Sequence, residues 1–303
     1  MKKYAVYLSG GLALLSAAAC KGIDPIHELG EYNDYVVCSY DNEQQTACAG
    51  DYARYRVKGD ITTGYYTLTV EDIQLFDGDK LRSDTLSRLV QYFNDQNPDN
   101  PDDKTVRYTF FTQEASTRQQ GDLKLNKLRF GWLSTQAWLT GEAFDGRYSL
   151  WSLPKSVRMY ANETVVGGPG GEITENYLSP RYDMRFNTAN STVTFKATGV
   201  KYPVDIEDPG KTLSIASLTW ADLPVKYTPT GFTISVDTFT PQITGKIGSA
   251  DIKEGDFKIS NFDCTFGADY DSPRRVRFVM NQESTGLQLV VTTKLDYFIA
   301  DNG

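Results

Sequence analysis

Histidine is almost missing from this 303-residue chain, with His27 the only one. A Ser-His-Asp or Cys-His nucleophile and a His/Cys metal site both need that residue type beside partners the fold can gather. His27 lies just after Cys20, near the N-terminus, so neither chemistry is expected, and no metal or other cofactor is implied. Cysteine is scarce as well: Cys20, Cys38, Cys48 and Cys264 include no pair at zinc-knuckle spacing. No apolar run approaches the roughly 20 residues that cross a bilayer as a helix. Basic residues are outnumbered, 31 Lys and Arg against 39 Asp and Glu, for a net charge of −8 and a pI near 4.9. Phosphate binding needs a basic face, so this balance excludes a nucleic-acid partner and argues against a polybasic membrane patch. The glycine-rich run Gly167 to Gly171 lacks the lysine and the strand-to-helix setting of a phosphate loop. A carboxylate pair of the glycosidase kind is the one enzymatic option that so many acidic residues leave open.

What is present begins at the N-terminus. Lys2 and Lys3 precede an apolar run from Tyr4 to Leu15, and Ser16-Ala17-Ala18-Ala19 precede Cys20. A charged start, a short apolar core and small residues before a cut form the secretory pattern. With Cys directly after the small residues, the segment resembles a bacterial lipoprotein signal, and Ala17 in place of Leu is similar to the relaxed form found in the Bacteroidota. The resemblance covers about these twenty residues. It implies a signal peptide over 1–19, acylation of Cys20, a tether over 20–31, and an outer-membrane lipoprotein at the cell surface or on the periplasmic face. The mature chain would then hold 284 residues, 303 less the 19 before Cys20.

The rest of the chain reads as strands. Leu68, Val70, Ile73 and Leu75 alternate, skip one residue and alternate again. The same spacing recurs at Leu123, Leu125, Leu128 and Phe130, at Leu213, Ile215, Leu218 and Trp220, and at Phe257, Ile259, Phe262 and Cys264. Period two marks a strand with one buried face, and a one-residue slip would reverse that face unless a β-bulge absorbs it or a turn ends the strand. Gly121-Asp122-Leu123-Lys124-Leu125 matches Gly255-Asp256-Phe257-Lys258-Ile259, which suggests an internal repeat. A rival register instead aligns Val106-Arg107-Tyr108 with Val276-Arg277-Phe278. One helix is expected over Ser83 to Gln96, because Leu86, Leu89, Val90 and Phe93 fall at i, i+3, i+4 and i+7 behind Ser83-Asp84. The fold class expected is all-β: antiparallel β-sandwich or barrel units, two in tandem, with one short helix. Their spans would be 32–166 and 172–303, meeting at the glycine run.

Candidate site residues are few. Cys38 and Cys48 flank a polar segment able to turn back on itself, so an oxidising compartment would allow a disulfide. Cys264 reads as a buried thiol. Asp95 to Asp103 collects oxygen ligands, but two prolines and the lack of a calcium-loop pattern make it a solvated acidic loop. Trp132, Trp138 and Trp151 fall within twenty residues; aromatic faces stack on sugars and also build cores, and these three are the nominated ligand-facing residues. The function expected is a membrane-anchored, non-enzymatic binding module for a glycan, peptide or protein. The alternatives are a β-barrel carrier of an apolar ligand such as a lipid, and a carboxylate-based glycan hydrolase.

Overall fold

A computed structural model describes residues 26–94, 108–133, 136–168, 171–176, 180–204, 211–269 and 272–296. The signal segment, Cys20 and the acidic loop at 95–103 lie outside the described residues. Nine strands make the first sheet: β1 (Ile26–Asp41), β2 (Thr46–Asp60), β3 (Tyr65–Ile73), β4 (Arg82–Asn94), β5 (Tyr108–Thr112), β6 (Arg118–Gly121), β7 (Asn126–Leu133), β8 (Gln136–Ala143) and β9 (Tyr148–Pro154). Eight of them close an antiparallel barrel in chain order, with β3 paired to β4 and β9 back to β1, while β6 adds to β4 outside the ring. Residues 26–31 of the span expected as a tether are the start of strand β1, and 20–25 lie outside the described residues.

The second sheet holds β10 (Ser156–Gly168), β11 (Gly171–Asn176), β12 (Arg181–Asn187), β13 (Thr192–Thr198), β14 (Val200–Pro203), β15 (Thr212–Pro224), β16 (Lys226–Thr228), β17 (Gly231–Phe239), β18 (Gln242–Ile247), β19 (Ala250–Asp251), β20 (Phe257–Gly267), β21 (Arg274–Gln282) and β22 (Leu287–Asp296). It follows the same course, since β22 pairs back to β10 as β9 does to β1. Among the described residues no ladder joins β15 to β17, so this second meander is open there. The hydrogen bonding passes from one sheet to the other between Pro154 and Ser156. The glycine run expected as a boundary instead lies inside the second sheet, where Gly168 and Gly171 are the last pair of the β10–β11 hairpin.

The recurring slip is a β-bulge. All sixteen residues of the four patterns are buried, and the ladder shifts register between Val70 and Ile73, Asn126 and Arg129, Ile215 and Ser217, and Ser260 and Asp263. One extra residue keeps the apolar side chains before and after each slip facing inward. In three of the four, the second of the two residues between the inward side chains takes a left-handed backbone: Asp72 at φ 65°, Lys127 at 48° and Asn261 at 51°.

The same device overturns the expected helix. Residues 82–94 are strand β4, Leu86 and Leu89 are both buried, and Arg88 between them sits at φ 62°. A bulge gives a three-residue spacing between two inward side chains, which a helical pattern also gives. Among the described residues there is no α-helix, only a single 3-10 turn at Thr188–Asn190.

Inside the barrel, Tyr32, Tyr35, Tyr55, Phe111 and Phe130 pack ring against ring at 5.3 to 6.2 Å. Outward residues of the barrel strands β1, β8 and β9, Val36, Cys38, Trp138, Trp151 and Leu153, join the core of the second sheet. This seam is also polar. Asp269 accepts from Arg129 at 2.8 Å and from Trp138 Nε1 at 3.3 Å, and Trp151 Nε1 donates to the Thr228 carbonyl at 2.8 Å.

Candidate functional site

Three loops meet at the end of the barrel where β1 finishes: the β1–β2 turn, the β3–β4 loop and the β8–β9 turn. They enclose a cleft of about 350 Å³ lined by Asp41, Gln44, Cys48, Phe76, Asp77, Arg147 and Tyr148, among others. The first and third loops are clasped together. Asp41 accepts from the Glu43 and Gln44 amides at 2.9 and 3.0 Å and from Arg147 at 3.2 Å. Asn42 donates to the Gly146 carbonyl at 2.9 Å. The Gln44 amide, with help from Glu43 and Arg147 against the cost of desolvation, holds the Asp41 carboxyl below the usual carboxylate range.

The second loop is braced by Arg82 on Asp79 at 2.8 Å. It presents Phe76, an apolar ring left 46% exposed. Phe76 stacks on the buried Tyr148, with centroids 6.5 Å apart and planes at 27°. Arg147 lies over the Tyr148 ring at 5.2 Å. Gln44, Asp77 and Arg147 are exposed around it. A flat apolar face with planar hydrogen-bonding groups at its edge suits the C–H face and hydroxyl rim of a sugar ring, or an aromatic side chain with its peptide groups.

Cys48 closes the floor of the cleft, donating to Asp77 Oδ1 at 3.2 Å. Burial, and then the Asp77 carboxylate, push its thiol up to about 12. Such a thiol is inert as a nucleophile at neutral pH. Nor is it bonded to Cys38: all three described cysteines are free. The cause is register. Cys48 faces Ser39 across the β1–β2 ladder and shares its side of the sheet, while Cys38 projects into the seam.

The nominated tryptophans are placed elsewhere. Trp138 and Trp151 are fully buried in the seam rather than facing solvent, because alternation sends Ala137, Leu139 and Leu150 into the barrel and the indoles out against the second sheet. Trp132 is on β7, opposite Ala137, and its side chain lies outside the described residues, as does that of His27. Sequence reasoning missed Phe76. The signal available was an aromatic placed directly before Asp77-Gly78-Asp79, a turn sequence that cannot cover it.

The described carboxylates whose acidity departs from normal, Asp41, Asp60, Asp79 and Asp122, are all shifted downward by hydrogen bonds from neighbouring amides, hydroxyls or cations. A general acid needs the opposite shift. Among the described residues no cluster of three or more His, Cys, Asp or Glu could hold a metal ion, and no helix is long and apolar enough to cross a membrane. No protein-family model, curated protein or solved structure matches the chain.

Proposed function

We propose that the chain is a non-enzymatic binding module of the cell envelope, anchored through an acylated Cys20, that takes a glycan at the mouth of its barrel. On this reading the two meanders act as tandem units, one carrying the mouth and the other bracing it through the seam. The observation that carries the proposal is the exposed Phe76 ring stacked on Tyr148, ringed by Gln44, Asp77 and Arg147. A packed ring cluster along the barrel interior leaves the carrier of an apolar ligand without support. Among the described residues no carboxylate carries the upward shift of a general acid that would favour the hydrolase.

Phe76→Ala tests the site on a glycan array. Binding is expected to fall by about tenfold or more, as for a central interface aromatic, while the melting temperature moves by less than about 2 °C because the ring is already half in water. Unchanged binding by the variant would sink the mouth as the site, and a response to peptides alone would reassign its ligand. The anchor has its own test. Metabolic labelling with palmitate should mark the wild type and not Cys20→Ala, and label retained by the variant would remove the anchor from the proposal.

A further inference from the structure

The opposite end of the barrel carries a second cleft, and its chemistry differs. About 320 Å³ in volume, it runs across the outside of β2, β3, β4 and β6 and is lined by Lys58, Asp60, Thr63, Tyr65, Ser87, Arg88 and Arg118, among others. Alternation places Lys58 and Thr67 outward, since Val57 and Leu68 beside them are buried in the barrel. Arg88 is the extra residue of the β4 bulge, and Arg118 joins it because β6 pairs Arg118 with Ser87.

These three cations differ from most basic residues of the barrel. Arg54, Arg56, Lys80, Arg82, Lys127 and Arg147 each lie within 4.0 Å of a carboxylate. Lys58, Arg88 and Arg118 are exposed and make no ion pair with a described residue. Asp60, the carboxylate in the cleft, is engaged by its own turn, accepting from the Thr62 amide at 2.9 Å and the Thr63 hydroxyl at 2.8 Å. Glu28 is the cross-strand neighbour of Lys58 on β1. Beside the cleft the same turn exposes Ile61, which is 47% accessible.

Position supplies the occupant. Ile26, the first described residue, pairs with Asp60, which lines the cleft, so the described chain starts beside it. Only residues 21–25 separate Ile26 from Cys20, a span of at most about 20 Å when fully extended. We propose that this flank is a membrane-contact face, with Lys58, Arg88 and Arg118 taking the phosphate groups of anionic lipids while Ile61 and Tyr65 enter the headgroup layer. The acidity of the whole chain does not oppose this, because a screened field is set by the charges within about 10 Å; it also orients the molecule, cations toward the bilayer and the mouth away from it. The choice of lipid as occupant rests on acylation at Cys20, but binding itself does not require the acyl chains.

The test uses the mature chain with Cys20→Ser, which lacks the acyl site, sedimented with vesicles of phosphatidylcholine alone or with phosphatidylglycerol added. Binding is expected only to the anionic vesicles, and to be lost at 0.5 M salt. The triple variant Lys58→Gln, Arg88→Asn, Arg118→Gln should bind them about a hundredfold more weakly, each basic side chain near such a surface contributing about a fivefold share. Asn is chosen at position 88 because it tolerates the left-handed backbone. Phe76→Ala should bind vesicles as the wild type does, which separates this face from the mouth. Failure to bind anionic vesicles, or binding that the triple variant retains, overturns the proposal. Binding to heparin without binding to vesicles also overturns it and reassigns the cleft to acidic glycans.

Discussion

Trp151→Ala is expected to lower the free energy of unfolding by about 3–5 kcal/mol, the range for truncating a large, fully buried aromatic. The indole is wholly buried and lies 5.6 Å from the ring of Tyr227 and 6.1 Å from that of Phe232. Both partners belong to the second sheet, so the cavity would open in the seam rather than inside either meander. The variant also strips the half-buried Thr228 carbonyl of its donor, which adds to the loss. Trp151→Phe separates the two contributions, since it restores most of the volume and none of the hydrogen bond, and about 1–2 kcal/mol of the loss should remain. Urea unfolding is the measurement. A loss below about 1 kcal/mol for the alanine variant would mean that the seam is not packed as described.

Asp84→Ala should cost about 3–5 kcal/mol by a different route. Asp84 is buried on β4, 1% exposed, and faces the chain that crosses from β6 to β7. Its carboxylate accepts from the amides of Leu123 at 3.3 Å and Leu125 at 3.1 Å, and from the Gln119 side chain. Leu123 and Leu125 form the first half of one of the slipped patterns, so this carboxylate fixes the entry to the β7 bulge. Hydrogen bonds to a charged group contribute about 1.5–3 kcal/mol each, and two amides would be left buried without an acceptor. Asp84→Asn keeps one acceptor oxygen and should lose roughly half as much. Equal stability of Asp84→Ala and the wild type in urea would show that the crossing is held by its leucines alone.

Much of the architecture was legible in side-chain periodicity. Leu68 to Leu75 and its three counterparts announced strands with one buried face, and left a bulge or a turn as the two ways to absorb the slip; the ladders show the bulge. The register that aligns Gly121 to Leu125 with Gly255 to Ile259 agrees with topology, since β7 and β20 are each the sixth strand of their meander and each bulges at a left-handed residue, Lys127 and Asn261. Its rival pairs a fifth strand with a seventh. The pattern misled at Leu86 and Leu89, where a bulge and a helical turn place apolar residues at the same interval. It misled again at Gly167 to Gly171, because glycine marks a tight hairpin as readily as a boundary.

The candidate site was less readable. Aromatic clustering pointed to Trp138 and Trp151, yet large rings gather where the most surface is buried, and here that is the seam. Phe76 was visible in the sequence but isolated, and only the fold brings it to Tyr148 and Arg147. The cationic flank was hidden by the average charge, as Lys58, Arg88 and Arg118 come from three strands and converge only once the barrel closes.

One strand also sets the order in which this molecule can be completed. β1 is buried on both sides, with Tyr35 and Val37 inside the barrel and Val36 and Cys38 in the seam. Of the described strands synthesis produces it first, and β2 pairs one of its edges at once, but the partner of the other edge arrives more than 100 residues later, where Cys38 meets Trp151, and the second sheet's share of the seam, at Tyr227 and Phe232, later still. Contacts of such long range close slowly. Until they close, the earliest-made strand has two apolar faces and an unpaired edge, the combination most prone to wrong association. The growing chain must therefore be shielded or kept extended until at least β17 has emerged, and a truncation before Gly231 should yield aggregates rather than a smaller folded barrel.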